Sequence, residues 1–274
     1  MERALGLQWA IESDMFGFRI VIKDQPLTRR GTLSTISSVY DPLGIAAPFL
    51  LVGKKILQDP CRTKLGWDDE ICEELRVRWQ RWRHQLPALE RFSMERCLNP
   101  NNFGVVVSVR QIHSSSDASS TGYGQVSYHR MENERGDVYC AFLIGKARVA
   151  PVKTMTIPRL ELTAATLWVR VVEMIARELD EPVNSRRFWT DSTTVLKYIS
   201  NEKKRFQVFV ANRVQMIREA TNPYQWRYVE SKRNPADDAS RGLDGKELSP
   251  QCRWITGSNF LRLPESEWPP LPGD

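Results

Sequence analysis

Along the first two dozen residues, apolar and polar positions alternate in two short runs, "LGLQWAI" and "FGFRIVI". Their aromatic and β-branched content predicts strands joined at the polar "ESD". From Leu27 the pattern changes. "LTRRGTLSTISSVYDPLGIAAPFLLVGKKILQDP" predicts two helical pieces separated at Pro42 and Gly44, the second apolar and ending at Pro60. "DDEICEELRVRWQRWRHQL" repeats Ile71, Leu75, Arg78, Trp79 and Trp82 at helical spacing, with Asp68 or Asp69 placed as N-cap and its charges on a solvated face. "PALERFSMERCLNPNNFG", broken by Pro87, Pro100 and Gly104, predicts irregular chain and a domain boundary near residue 100.

Beyond that boundary "VVVSVRQIHSSS", "GYGQVSYHR" and "DVYCAFLIGKARVA" predict three successive strands. "IPRLELTAATLWVRVVEMIARELD" is a long helix with Pro158 in its first turn. "RRFWTDST" is a short strand, and "TTVLKYIS" and "KKRFQVFVANRVQMIREA" are helical. "YQWRYVES" is a fifth strand, and "NPADDASRGL" is a loop opening a last short helix. The order β-β-β-α-β-α-α-β-α predicts an α/β fold: a mixed five-stranded sheet flanked by helices and preceded by a mainly helical segment. The proline-rich tail "PESEWPPLPGD" is expected to be extended or disordered.

The chain of 274 residues is 41% hydrophobic and 26% charged, which fits globular domains with real cores. A net charge of +6 favours an anionic partner, nucleic acid ahead of membrane. No run of about 18 apolar residues predicts a membrane span, and the first residues do not resemble a secretion signal. Cys61, Cys72, Cys97, Cys140 and Cys252 are scattered without a C-x-x-C pair, so neither a disulfide framework nor a zinc site is expected and a reducing compartment fits.

Four acidic residues occupy notable places: Asp117 at the end of the first long strand, Glu161 in the first turns of the long helix, Asp191 ending "RRFWTD", and Asp237 opening the final helix. Each has a plain reading. Asp117 starts a turn, Glu161 complements a helix dipole, and Asp191, Asp237 and Asp238 serve as helix caps. Together they have another. Strand ends and helix starts of an α/β sheet gather at one edge, where ligands bind. Glu161 heads the apolar stripe Ala164, Ala165, Trp168, Val172, Ile175 and Leu179, so it faces the sheet. Carboxylates gathered there repel one another unless a cation neutralises them. An all-oxygen set selects Mg²⁺ or Mn²⁺, and two such ions about 4 Å apart suit phosphodiester hydrolysis. Lys203, Lys204, Arg205, Arg213 and Arg218, in a stretch without acids, read either as a handle for a nucleic-acid backbone or as a solvated basic face.

"SSSDASSTGYG", "IPRLELTAA", "FWTDSTTVL" and "NPADDASRG", in this order, resemble the ribonuclease H domain of retroelement Pol polyproteins over roughly residues 105–242. Within that group the chain is similar to the BEL/Pao class of LTR retrotransposons. Residues 1–27 resemble the end of a polymerase palm, 28–100 a helical thumb- or connection-like segment, and 243–274 an extended connector towards an integrase. The resemblance implies that Asp117 bridges two metals. Glu161 holds one of them and senses the ribose 2′-hydroxyl, Asp191 shares that metal, and Asp237 binds the one that activates water. It implies an RNA–DNA hybrid as substrate, other Pol-derived domains as partners, and a cytoplasmic particle or the nucleus as location. Two departures stand out: "VESKRNPADD" lacks the histidine that cellular members often carry, and no tyrosine-x-Asp-Asp strand occurs, so DNA synthesis is not expected. The chain is expected to be a fragment of a longer polyprotein. Competing classes are a DDE integrase or transposase, disfavoured by a glutamate on the first helix rather than a late one, a silent nucleic-acid-binding remnant, and a Pol scaffold built on residues 28–100.

Overall fold

The computed structural model describes residues 2–4, 7–100, 102–182, 185–203 and 205–270. At the N-terminus β1 (Glu2–Ala4), β2 (Leu7–Ala10) and β3 (Met15–Gly17) form an antiparallel ribbon. On the free edge of β3 lies β4 (Ser93–Glu95). Part of the stretch expected to be irregular is therefore a strand, while "FGFRIVI" contributes only Phe16 and Gly17 to one.

Thr28 caps α1 (Arg29–Ser37), accepting from the Gly31 N–H at 3.2 Å. The expected break follows. Gly44 takes a φ of 77°, and the two Asp41 carboxylate oxygens accept from the N–H groups of Ile45 and Ala46, each at 2.9 Å. These bonds lead into α2 (Ala47–Arg62), which runs through Pro60 rather than ending there. The next helix, α3 (Glu73–Arg83), starts later than predicted. Asp68 is held by Arg30 at 2.7 Å and Asp69 accepts from the Gly66 N–H at 2.8 Å, so Cys72 takes the N-cap position instead. Trp79 and Trp82 turn inwards, with ring centroids 4.9 Å apart, and the Trp82 indole donates to the Phe49 carbonyl at 3.0 Å. Arg78 faces outwards to Asp59.

The main sheet is the expected mixed five-stranded one, ordered β7-β6-β5-β8-β9. β5 (Val106–Ala118), β6 (Gly122–Asn133) and β7 (Val138–Val149) run antiparallel; β8 (Arg186–Thr190) pairs parallel with β5, and β9 (Trp226–Tyr228) with β8. β5 does not yield to its polar residues. Ser114 stays in the ladder because its hydroxyl finds partners across it. Ser114 donates to Gln125 at 3.1 Å and accepts from Ser127 at 3.1 Å. Asp117 lies within this strand, opposite Gly124, and does not start a turn.

On one face of the sheet α4 (Ile157–Glu178) lays Leu162, Ala165, Val169 and Val172 against Ile112 and Phe188. α5 (Thr193–Ser200) and α6 (Val208–Ala220) pack on the same side. α6 begins at Val208, so the basic residues before it do not open the helix as expected; Phe206 packs edge-on to Tyr198 with centroids 5.2 Å apart, which holds the connection to α5. β9 is shorter than predicted, with single 3-10 turns on either side. On the other face lies α7 (Ala236–Arg241), packed beside α2.

The segment after residue 242 is not extended. It folds through α8 (Arg253–Thr256) as far as residue 270, and Trp254, Phe260, Leu261 and Trp268 are buried in the same cluster as Phe49, Trp79 and Tyr128. Gly145 makes the room: a Cβ there would come within 2.2 Å of the Trp254 ring, whose N–H donates to the Ile45 carbonyl at 3.0 Å. One apolar cluster thus runs from Leu7 and Phe18 through α1 to α3 and the sheet to Trp268.

Candidate active site

The edge of the sheet where β5 and β8 end carries the carboxylates. Asp117 is only 6% exposed and points to α7, whose Ser240 hydroxyl donates to it. The close approach of α7 explains "TGYG": a Cβ on Gly124 would lie 2.5 Å from the Ala239 Cβ, and one on Gly122 2.7 Å from the Ser240 carbonyl oxygen. Asp191 directly follows β8, whose Thr190 pairs with Ser116, and so stands beside Asp117. It does not cap α5. Ser192 does, accepting from the Val195 N–H at 3.2 Å, and the same hydroxyl donates to Glu161 at 2.6 Å, tying α4 to the end of β8. The Ser231 hydroxyl donates to Asp191. Asp237 and Asp238 lie in the first turn of α7, after Pro235 at the N-cap, and neither makes a capping bond. Asp237 accepts from Arg241 and, at 3.4 Å, from Arg253; Asp238 accepts from Arg253 at 3.0 and 2.7 Å.

These groups feel one another. Burial, then the charges of Asp191 and Asp237, push the Asp117 carboxyl up to about 7, against the Ser240 hydrogen bond. Burial raises Glu161 as well; the Ser192 hydroxyl opposes this and the Asp191 charge adds to it. Arg241 is held above its ordinary value by its bond to Asp237 and by the more distant charges of Asp117 and Asp191.

In kind, the donor set fits a hard divalent cation. It is all oxygen, Asp191 Oδ1 is buried without a hydrogen-bond partner, and a cation would relieve the cost of charging Asp117. In spacing, the set is not assembled. Among the described residues, no three Asp, Glu, His or Cys side chains are gathered closely enough to hold an ion. Asp237 has both oxygens engaged by guanidinium groups.

The basic residues divide. Lys203 and Arg205 are exposed ahead of α6, and Lys204 lies outside the described residues. Arg213 lies over the Phe209 ring at 3.5 Å, with Arg159 on the same ring at 5.2 Å. Arg218 donates to the carbonyls of Ile199 at 2.9 Å and Asn201 at 2.7 Å, satisfying the end of α5. Sequence reasoning missed Ser192, Ser231, Ser240, Arg241 and Arg253. The Asp237–Arg241 spacing of one helical turn is readable in "DDASR"; the reach of Arg253 is not.

No curated protein matches the chain. Similar solved structures include ribonuclease H1 of the archaeon Halobacterium salinarum NRC-1, at 12% identity and TM-score 0.32 over 48% of this chain and 94% of that one. A foamy viral protease-reverse transcriptase bound to double-stranded DNA is similar at 14% identity and TM-score 0.46, over 84% of this chain and 37% of that one. LC11 ribonuclease H1 in complex with an RNA/DNA hybrid is similar at 13% identity and TM-score 0.33, over 51% of this chain and 99% of that one. The model of the Pao retrotransposon-like RNaseH-like domain matches residues 28–192, and the chain belongs to that family.

Proposed function

We propose that the chain is a ribonuclease H-type endonuclease that hydrolyses the RNA strand of RNA–DNA hybrids, with Asp117, Glu161, Asp191 and Asp237 holding two Mg²⁺ or Mn²⁺ ions. The supporting observation is placement: Asp117 on β5, Asp191 after β8 and Asp237 on α7 meet at one edge of the sheet, where burial first, and then the charges of Asp191 and Asp237, push the Asp117 carboxyl up to about 7. Cations held by these carboxylates would supply the charge that activates water and stabilises the leaving oxygen in phosphodiester hydrolysis. The chain supplies placement. Ser240, Ser192 and Ser231 donate to Asp117, Glu161 and Asp191 and fix their carboxylates. Glu161, on α4, is the group to meet the ribose 2′-hydroxyl that distinguishes RNA from DNA. Lys203, Lys204 and Arg205 attract the hybrid backbone, and Arg213 and Arg218 add to the field while their guanidinium groups serve the fold. Other Pol-derived domains are the expected protein partners, in a cytoplasmic particle or the nucleus. Among the described residues no helix is long and apolar enough to cross a membrane.

One observation favours a second reading, a hybrid-binding protein without catalysis: the two guanidinium groups on Asp237. The test is cleavage of a labelled hybrid by the purified chain with Mg²⁺ or Mn²⁺. The nuclease reading expects loss of the RNA strand, intact single-stranded RNA and duplex DNA, and no cleavage by Asp117→Asn with hybrid binding retained. Tight, salt-sensitive binding without cleavage by the unmutated chain would establish the second reading.

A further inference from the structure

α7 has six residues, too few to hold a helix by itself. What holds its C-terminal turn comes from α2. The Lys55 ammonium donates to the carbonyl oxygens of Ser240 at 3.1 Å and Arg241 at 2.7 Å, among the last carbonyls of α7, which have no partner within the helix. The chain leaves through Gly242 at a φ of 96°, where a Cβ would come within 2.7 Å of Val52 Cγ2, and the Leu243 N–H donates to the Pro48 carbonyl at 3.4 Å. α7 is therefore seated on α2 along its last turn.

Ser240 works in two directions. Its carbonyl accepts from Lys55 and, at 3.0 Å, from the Ser119 hydroxyl, while its own hydroxyl donates to Asp117. Two hydrogen bonds, one to the backbone and one from the side chain of Ser240, thus tie Lys55 through that residue to the most buried carboxylate of the site, and the same helix carries Asp237. Burial and the charge of Arg241 bring the Lys55 ammonium down to about 8, so it remains charged at neutral pH.

We propose that Lys55 is a positioning residue of the carboxylate site, fixing the last turn of α7 and through it both Asp237 and the Ser240 hydroxyl on Asp117. The proposal makes a helix of the upstream segment a working part of the nuclease site, and its kinetic test rests on the nuclease reading. The experiment compares the whole chain with Lys55→Met, which fills similar space without a donor, and Lys55→Arg, which still donates. Hybrid cleavage gives kcat and KM; amide hydrogen exchange follows residues 236–243.

Lys55→Met is expected to lose about tenfold or more in kcat with KM changed less than about twofold, the pattern of a misplaced catalytic group. Exchange at residues 236–243 is expected to accelerate, and Lys55→Arg to recover both readouts to within about threefold of the unmutated chain. Unchanged kcat and exchange in Lys55→Met would overturn the proposal. So would a higher KM at unchanged kcat, which would make Lys55 a direct contact to the hybrid. An arginine variant as impaired as the methionine one would also overturn it. If the unmutated chain does not cleave, the nuclease reading fails, while exchange still decides the role of Lys55. If Lys55→Met does not fold, Lys55→Ala, which also lacks a donor, takes its place against Lys55→Arg in the same measurements.

Discussion

Asp117 is a carboxylate placed where its own charge is unwelcome. Nearly all of it is out of water, and Asp191 and Asp237 add negative potential to the burial. Its folded-state value of about 7 lies above the ordinary 3.8, so between those values the folded chain binds more protons than the unfolded one. Stability from this group is fully present below pH 4 or so and is lost as the pH rises through 7. Asp117→Asn removes the titration and keeps an oxygen for the Ser240 hydroxyl. In chelator, the variant is expected to match the unmutated chain near pH 4 and to exceed its stability above pH 7 by roughly 2–4 kcal/mol. Urea melts at the two pH values measure this. Equal stability at pH 8 would mean that the field at Asp117 is already neutralised within the protein. Mg²⁺ or Mn²⁺ should then stabilise the unmutated chain and not the variant, a binding readout that needs no catalysis.

Among elements, the junction of β6 with α7 is the tightest at the site. Gly124 faces the Ala239 Cβ and the Lys146 carbonyl oxygen, each 2.5 Å from where a Cβ would stand, and neither can swing aside. Gly124→Ala is expected to cost about 1–3 kcal/mol by overpacking and to lower kcat at temperatures where the variant is still folded, because α7 moves with its carboxylate. Denaturant melts and cleavage rates check the two parts; full stability with full activity would refute the packing argument. This junction also marks how far the sequence could be read. The strands and α4 were legible because their periods are local, and the placement of Asp117 and Asp191 at one edge because strand ends share it; an ion-holding spacing of the carboxylates was expected and is not seen among the described residues. The glycines of "TGYG" were visible, but the helix that requires them lies more than a hundred residues downstream. The cap of α5 turned on a choice between neighbours, Asp191 and Ser192, that only the position of Glu161 settles. The start of α6 was set by Phe206 packing on Tyr198, a contact without periodicity.

At the scale of the whole molecule, the apolar core runs through segments that the sequence divides. Trp79 and Trp82 of α3, Phe49 of α2, Tyr128 of β6 and Trp254 of α8 belong to one buried cluster. Asp41, half-buried ahead of α2, is bonded to the backbone of its own turn, while Lys146 on β7 donates to the Pro42 carbonyl at 2.8 Å. Segments joined this way lose their support together when one leaves. The chain is therefore expected to unfold as one cooperative unit, with tryptophan fluorescence, which reports on α3, α4, β8, β9 and the C-terminal segment together, coinciding with far-ultraviolet circular dichroism of the helices and sheet. Trp254→Ala should lower stability by about 3–5 kcal/mol by emptying the contact between Gly145, Ile45 and Phe142. It should shift both probes to the same new midpoint. Two separated transitions, with the helical segment of residues 28–100 melting apart from the five-stranded sheet, would show that the shared cluster does not couple them.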